Sequence, residues 1–247
     1  KNYKDYTTKI RLSSLIILGA SFLITLYIIN KNIIKTNNIY FSLITFNIIF
    51  FSSEYFLRNY TNLNYHNFYA FFSITLFYRY YKLVKKKNLK NIILFCFSTA
   101  LLINTLETFV FSYVIIFIHL IYLLLKKIIN IKFLLLLVFF TFLFIFITCP
   151  GIIFSGGPIK SWIMYFYRII INSNTEHLDV EFLRLTINLF TNNFLILFIL
   201  IFSSILFIFI KNKNLFIKLL FIHIFVYYIF ISNFLMADRY LMPIVLS

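Results

Sequence analysis

Residues 133–149 read FLLLLVFFTFLFIFITC and contain no charged side chain. Seven further apolar stretches lie at about 11–29, 38–53, 64–81, 91–107, 108–125, 184–210 and 215–233, and a ninth begins near Tyr240. A membrane-spanning helix needs about 20 predominantly apolar residues, and backbone groups in lipid must form their hydrogen bonds internally. The pattern therefore predicts an all-α protein, a polytopic transmembrane helical bundle with about eight to nine membrane helices.

The composition excludes a soluble globular protein, since 62% of residues are hydrophobic, 12% are charged and the mean hydropathy is +0.93. The net charge of +16 is interpreted as a fringe that attracts anionic lipid headgroups, and not as a nucleic-acid-binding surface. Cys96 and Cys149 lie in different apolar segments and are interpreted as packing residues. Frequent Asn and Lys suggest an AT-rich coding sequence, so a single Asn or Lys carries little weight.

The basic residues predict the orientation. Alternating the segments across the membrane puts 30–37, 82–90, 126–132 and 211–218 on one side. With Arg79, these loops hold fourteen of the 23 Lys and Arg, so this side is predicted to be cytoplasmic. All seven acidic residues fall on the opposite side: Asp5, Glu54, Glu107, Glu176, Asp179, Glu181 and Asp238. They form either a functional outer face or ordinary solvated loop ends.

Two short regions of the predicted outer face carry candidate site residues. Glu54 and Arg58 are four residues apart and share a face on a continuing helix. They form either an interfacial ion pair or an anion site in which the Arg58 guanidinium contacts a lipid-linked phosphate. Glu107 lies in a tight turn between two apolar segments, as a helix-end charge or as part of a polar cavity with Glu54 and His66.

The longest stretch between spans, 150–183, also lies on the predicted outer side. Pro150 and Gly151 stop the preceding helix, and the Trp and Tyr residues within 159–171 predict a helix lying in the membrane interface. The 176–181 stretch has several potential metal ligands, but their spacing matches no metal signature, so no metal site is predicted. Asp179 is interpreted as an N-cap of the helix that begins near 180.

Residues 1–247 are interpreted as a single membrane domain. The chain opens with a polar stretch, 1–9, on the predicted outer side and stops within the ninth apolar stretch. We therefore expect it to be an internal piece of a longer protein. His119 and His223 lie near the middle of two segments, where either interhelical hydrogen bonding or proton transfer would suit them.

Three short motifs occur in the order found in a known superfamily. They are Arg11-Leu-Ser-Ser-Leu-Ile-Ile-Leu-Gly19, Ser53-Glu54-Tyr-Phe-Leu-Arg58-Asn-Tyr60 and Asp238-Arg239-Tyr240-Leu-Met-Pro243. In this order the chain resembles the GT-C glycosyltransferases, in the branch that includes protein O-mannosyltransferases and bacterial lipid A aminoarabinose transferases. Glu54 is offset by position from the acid usual in that family.

The resemblance implies an enzyme that transfers a sugar from a polyprenyl-phosphate donor to a glycan, lipid or protein acceptor at the outer or lumenal face. It implies that Arg58, Tyr60, Arg239 and Tyr240 bind the donor phosphate, and that the catalytic Asp lies upstream of Lys1. The implied location is the bacterial inner membrane, or the endoplasmic reticulum membrane in a eukaryote. A polytopic permease, a lipid flippase and a non-catalytic membrane subunit are the alternatives.

Overall fold

The computed structural model describes residues 65–104, 109–150 and 214–234, together with isolated helical positions within 12–44 and 201–205. The continuous ranges form five helices: α1, Tyr65–Lys85; α2, Leu89–Ile103; α3, Phe109–Leu125; α4, Ile131–Thr148; and α5, Leu215–Phe234. No strand occurs within this described part, so the predicted all-α class is confirmed there. Each helix matches one apolar stretch of the sequence.

Three helices begin at an asparagine whose side chain caps the first turn. The Oδ1 atom of Asn88 accepts a hydrogen bond from the Asn91 backbone N–H at 2.9 Å, and Asn130 Oδ1 accepts one from Phe133 N–H at 2.9 Å. Asn214 makes the equivalent bond at the start of α5. Such a cap stabilises a helix by about 1 kcal/mol. Because of these caps, α2 and α4 each begin two residues before the predicted starts at 91 and 133.

Helices α1 and α3 run in parallel, held by two polar contacts. The Ser112 hydroxyl donates to the Ser73 hydroxyl at 3.3 Å, and the Tyr80 hydroxyl lies 2.6 Å from His119 Nδ1. Both contacts join residues 39 positions apart, so the two helices keep a constant register and direction. His119 thus makes an interhelical hydrogen bond, one of the two roles that the sequence left open for it.

Helices α2 and α4 are likewise parallel. The Cys96 thiol donates to the Leu137 carbonyl at 3.4 Å, and the Asn104 amide donates to the Thr148 hydroxyl at 2.6 Å, over separations of 41 and 44 residues. Since α2 follows α1 after a turn of three residues, consecutive helices alternate in direction. The α1–α2 and α3–α4 turns therefore lie at one end, and the last residues of α2 and α4 lie at the other.

Helix α4 buries a narrow stripe and exposes large apolar side chains around the rest of its surface. Leu137, Thr141 and Ile145, four residues apart, are buried against the bundle. More than half of the side-chain surface is exposed at Leu135, Phe139, Phe142 and Ile147. Within the described residues, α4 alone is long and apolar enough to cross a membrane, with a mean hydropathy of 2.7; α2, α3 and α5 contain shorter apolar helices. Its 18 residues span about 27 Å.

Three hydroxyl groups in α2 and α4 donate to the backbone of their own helix. Ser98 donates to the Leu94 carbonyl at 2.8 Å, and Thr99 donates to the Phe95 carbonyl at 3.0 Å. Thr148 does the same at the end of α4. A hydroxyl bonded in this way needs no water, and such bonds are a usual solution in helices surrounded by apolar material. Small and weakly polar residues can therefore line the contacts between helices.

Aromatic contacts fix the centre of the bundle. Tyr80 of α1 is fully buried, and its ring lies 5.6 Å from the Phe95 ring of α2. Helix α5 packs against α1 and α3, with the buried His223 ring 5.1 Å from the Phe77 ring. Offset and tilted aromatic pairs at these distances are favourable beyond the area that they bury. Tyr80 thus joins α1, α2 and α3 in one packed unit.

Candidate functional site

The donor-site residues predicted from the sequence lie outside the described residues. These are Arg58, Tyr60, Arg239 and Tyr240. Glu54 and Glu107 of the predicted polar cavity lie outside the described residues as well, and so does the predicted interfacial helix at 159–171. His66 is in the first turn of α1, where the structure describes the backbone only. The donor-phosphate role of the two arginines and two tyrosines, and the polar cavity of Glu54, Glu107 and His66, stay predictions.

The described part has a distinct candidate site, a basic surface at the end shared by the α1–α2 and α3–α4 turns. The ammonium group of Lys87 donates to the carbonyl of Ile128, which ties the two turns together. We define the basic platform as the seven exposed lysines of these turns and of the adjoining helix ends: Lys85, Lys86, Lys87, Lys90, Lys126, Lys127 and Lys132. The sequence predicted that these two loops share a side, and their direct contact agrees with that prediction.

The α3–α4 turn is a Schellman motif with a lysine at its left-handed position. The Ile128 N–H donates to the Leu123 carbonyl and the Lys127 N–H donates to the Leu124 carbonyl, both at 2.9 Å. Lys127 has a φ of 57°, a region that glycine normally occupies at helix ends. A non-glycine residue held there costs of the order of 1 kcal/mol. The chain keeps a cation at a position where glycine would fit with less strain.

The α1–α2 turn is equally well defined. The side-chain amide of Asn91 donates to the carbonyls of Lys86 at 2.7 Å and Lys82 at 3.2 Å, which closes the end of α1. The carbonyls at the ends of α1 and α3 carry the negative end of each helix dipole, and lysines near them are stabilised. Both turns therefore present their cations from fixed backbones.

Tyrosine residues lie one helical turn before several of the lysines. In each case the ammonium nitrogen lies 5.5–6.0 Å from the centre of the ring four residues earlier, within the range of a cation–π contact. The pairs are Tyr27–Lys31, Tyr78–Lys82, Tyr81–Lys85 and Tyr122–Lys126. This pattern was not predicted, although the repeated spacing of Tyr and Lys at the ends of apolar segments could have revealed it.

The part of the chain that the structure describes contains no acidic residue, so among the described residues the basic platform faces no carboxylate. Partial burial lowers the pKa of Lys82, and the neighbouring positive charges of Lys85 and Arg79 lower that pKa further. Among the described residues, the charged side chains at this end are therefore all positive and repel one another. An anion bound there would relieve the repulsion.

A small apolar recess lies beneath the platform. Its volume of about 10 Å³ is close to the least that a single water molecule requires, so it cannot hold a sugar. The lining side chains come from the ends of α1 and α3, the two turns and the start of α4: Tyr80, Leu83, Val84, Lys87, Leu120, Leu123, Ile129 and Phe133. This end therefore offers a binding surface, in which lysine cations lie above apolar side chains.

The described residues contain no group of three or more His, Cys, Asp or Glu that could hold a metal ion. Cys96, buried in α2, and Cys149, at the end of α4, are both free thiols. Comparisons with protein-family models, with curated proteins and with solved structures find no match for this chain.

Proposed function

We propose that this chain belongs to a polytopic membrane glycosyltransferase of the GT-C type, with the basic platform in the cytoplasm. In this proposal Arg58 and Arg239 bind the phosphate of a polyprenyl-phosphate sugar at the opposite face, with help from Tyr60 and Tyr240. The arginines stabilise the departing phosphate, and a carboxylate accepts the proton of the acceptor hydroxyl as the sugar is transferred with inversion. The acceptor is a glycan, a lipid or a protein.

Residence in a membrane is supported by the distribution of side chains. Ser73, Ser112 and Thr99 are buried between helices, whereas α4 exposes Phe and Leu along its length. Soluble monomers rarely expose contiguous apolar patches beyond a few hundred Å², but lipid solvates such a surface. Small and weakly polar residues at helix contacts are typical of membrane bundles.

The observation that carries the proposal is the alternation of α1 to α4. It puts the lysine-rich turns at one end and directs the start of α1 and the end of α2 to the other. The segment with Arg58 and Tyr60 leads directly into Tyr65, the first residue of α1, and Glu107 follows soon after Ile103, the last residue of α2. Both candidate segments are thus joined to helix ends remote from the lysines, as the GT-C resemblance requires.

Cysteine labelling tests this topology. In a protein in which Cys96 and Cys149 are changed to Ala, Ser173→Cys should react with a membrane-impermeant maleimide in intact cells. Lys86→Cys should react only after the membrane is permeabilised, because we expect the α1–α2 turn to face the cytoplasm. Lys86 is chosen because its side chain is exposed, whereas neighbouring Asn88 caps α2. The readout is the labelled fraction of purified protein.

The paired positions supply their own control, since one variant must label before permeabilisation and the other after it. If Lys86→Cys and not Ser173→Cys is labelled in intact cells, the topology is the inverse of the one proposed, and the proposed donor face is contradicted. If both positions react in intact cells while a cytoplasmic marker protein stays unlabelled, the basic platform does not lie in the cytoplasm.

A permease or flippase remains the alternative class. Such proteins place ionisable groups along a path through the membrane. Within the described helices the two mid-helix histidines are candidates, and both are engaged in packing: His119 bonds to Tyr80, and His223 packs on Phe77. Release of labelled polyprenyl phosphate together with a glycosylated acceptor would favour the transferase, whereas movement of intact donor across the bilayer would favour the flippase.

A further inference from the structure

We infer that the basic platform, with the tyrosines one turn above it, is a binding surface for the phosphate headgroups of anionic lipids in the cytoplasmic leaflet. This inference concerns the face opposite the proposed donor site. It rests on residence in the membrane and is independent of the glycosyltransferase chemistry.

The tyrosines and lysines at the ends of α1 and α3 lie at matching heights along the two helices. The register of 39 residues between α1 and α3 puts Tyr122 level with position 83 and Lys126 level with Lys87. The contact between Lys87 and the Ile128 carbonyl is consistent with this register. Tyrosine rings and lysine ammonium groups thus form two adjacent layers, the arrangement found where a helix passes from the acyl region to the headgroups.

Exposed apolar side chains alternate with the lysines, and they identify the partner. Leu125 is 77% exposed beside Lys126, and Ile128 and Ile131 are about half exposed beside Lys127 and Lys132. Free phosphate or a nucleic acid would leave these Leu and Ile side chains in water. A phospholipid satisfies both groups at once, since its acyl chains cover the apolar side chains and its phosphate meets the ammonium groups.

Lys127 is the platform lysine that has a left-handed backbone conformation. Glycine would fit this φ with less strain, whereas lysine adds a cation beside Lys126. The hydrogen bonds of the Schellman turn fix the Lys127 backbone between Lys126 and Ile128, and the Lys127 side chain is exposed. A lipid phosphate would supply a counter-charge to this cluster of ammonium groups.

The experiment measures lipid binding by the purified full chain in neutral detergent. Dioctanoyl phosphatidylglycerol is the probe, and the shift of the unfolding midpoint and the lipid retained in native mass spectra are the readouts. Each lysine near a lipid surface contributes about fivefold in affinity. The triple variant Lys126→Gln, Lys127→Gln and Lys132→Gln should therefore bind this lipid at least about tenfold more weakly. Its far-ultraviolet circular dichroism should be unchanged, since the three side chains are exposed.

The matched control removes three charges from the other loops predicted to be cytoplasmic, by Lys35→Gln, Lys211→Gln and Lys213→Gln. It should lose clearly less affinity. An equal loss in both triple variants would mean attraction by net charge alone and would overturn the platform. Dioctanoyl phosphatidylcholine and inorganic phosphate at the same concentration should leave the midpoint unchanged. A shift with inorganic phosphate as large as that with the lipid would overturn the lipid assignment in favour of a simple anion site.

Lys127→Gly separates headgroup binding from a structural role. It should raise the unfolding midpoint without lipid, because glycine relieves the positive φ, and it should at the same time weaken phosphatidylglycerol binding about fivefold. A higher midpoint with unchanged lipid affinity would overturn the assignment of Lys127 to the headgroup surface.

Discussion

Replacing Arg58 or Arg239 by lysine should reduce sugar transfer by the full-length protein at least about tenfold, because truncating a buried charged contact typically costs about 2–5 kcal/mol. A guanidinium presents two parallel N–H groups to a phosphate, whereas a lysine ammonium is a single point charge. Both arginines lie in the segments that most resemble the GT-C family. The assay follows transfer from polyprenyl-phosphate mannose and polyprenyl-phosphate aminoarabinose in isolated membranes.

Arg79→Lys is the matched control. Arg79 lies near the lysine-rich end of α1, half-buried and 5.7 Å from the Tyr78 ring, so the same chemical change there should leave transfer unaltered. Binding of polyprenyl phosphate without sugar gives a second readout, which should weaken in the Arg58 and Arg239 variants only. Unchanged turnover and donor binding in both variants would contradict the donor-site proposal, while leaving the lipid-binding inference on the other face intact.

Hydropathy predicted the described helices well, because each consists of an apolar run bounded by polar or charged residues. It predicted their ends less well. The apolar run ends at residue 81, yet α1 continues to Lys85, since the lysine stems can follow a helix into the headgroup region. Conversely, α2 ends at Ile103, where Asn104 stops the helix and bonds to Thr148, although the apolar run continues to 107.

The contacts between helices could not be predicted from the pattern. Helix α4 is apolar on every side, so its sequence contains no stripe that marks the buried face. That face is selected by α2, whose small Cys96 and Ala100 let α4 approach closely enough for the thiol to reach the Leu137 carbonyl. The buried face of α4 therefore depends on the size of two residues in α2, which the periodicity of the α4 sequence alone cannot reveal.

The features of the candidate sites were likewise predicted only in part. Counting lysines predicted that the 82–90 and 126–132 loops share a side, and the Lys87–Ile128 contact agrees with this. The roles of Asn88, Asn91 and Asn130 were not predicted, because a high Asn content hides the few that cap helices. An Asn just before a long apolar run is the signal that could have identified two of them.

Tyr80→Ala should lower the free energy of unfolding by about 3–5 kcal/mol, the range for removing a large aromatic side chain from a core. Tyr80 is fully buried, packs on Phe95 and bonds to His119, so its loss opens a cavity where α1, α2 and α3 meet. Lipid is as apolar as the ring, so the cost arises from lost packing and not from exposure to water. Unfolding by SDS in mixed micelles, followed by circular dichroism, measures the change.

Two variants separate the contributions of the tyrosine. Tyr80→Phe keeps the ring and removes only the hydroxyl, so it should cost about 1 kcal/mol, the usual scale of a hydrogen bond between membrane helices. Tyr122→Ala removes a half-exposed tyrosine that packs its ring beside Lys126, and it should cost no more than about 1 kcal/mol. If Tyr80→Phe costs as much as Tyr80→Ala, the bond to His119 and not the ring packing holds the three helices together. If neither Tyr80 variant destabilises the protein more than Tyr122→Ala, α1, α2 and α3 do not share the core described above.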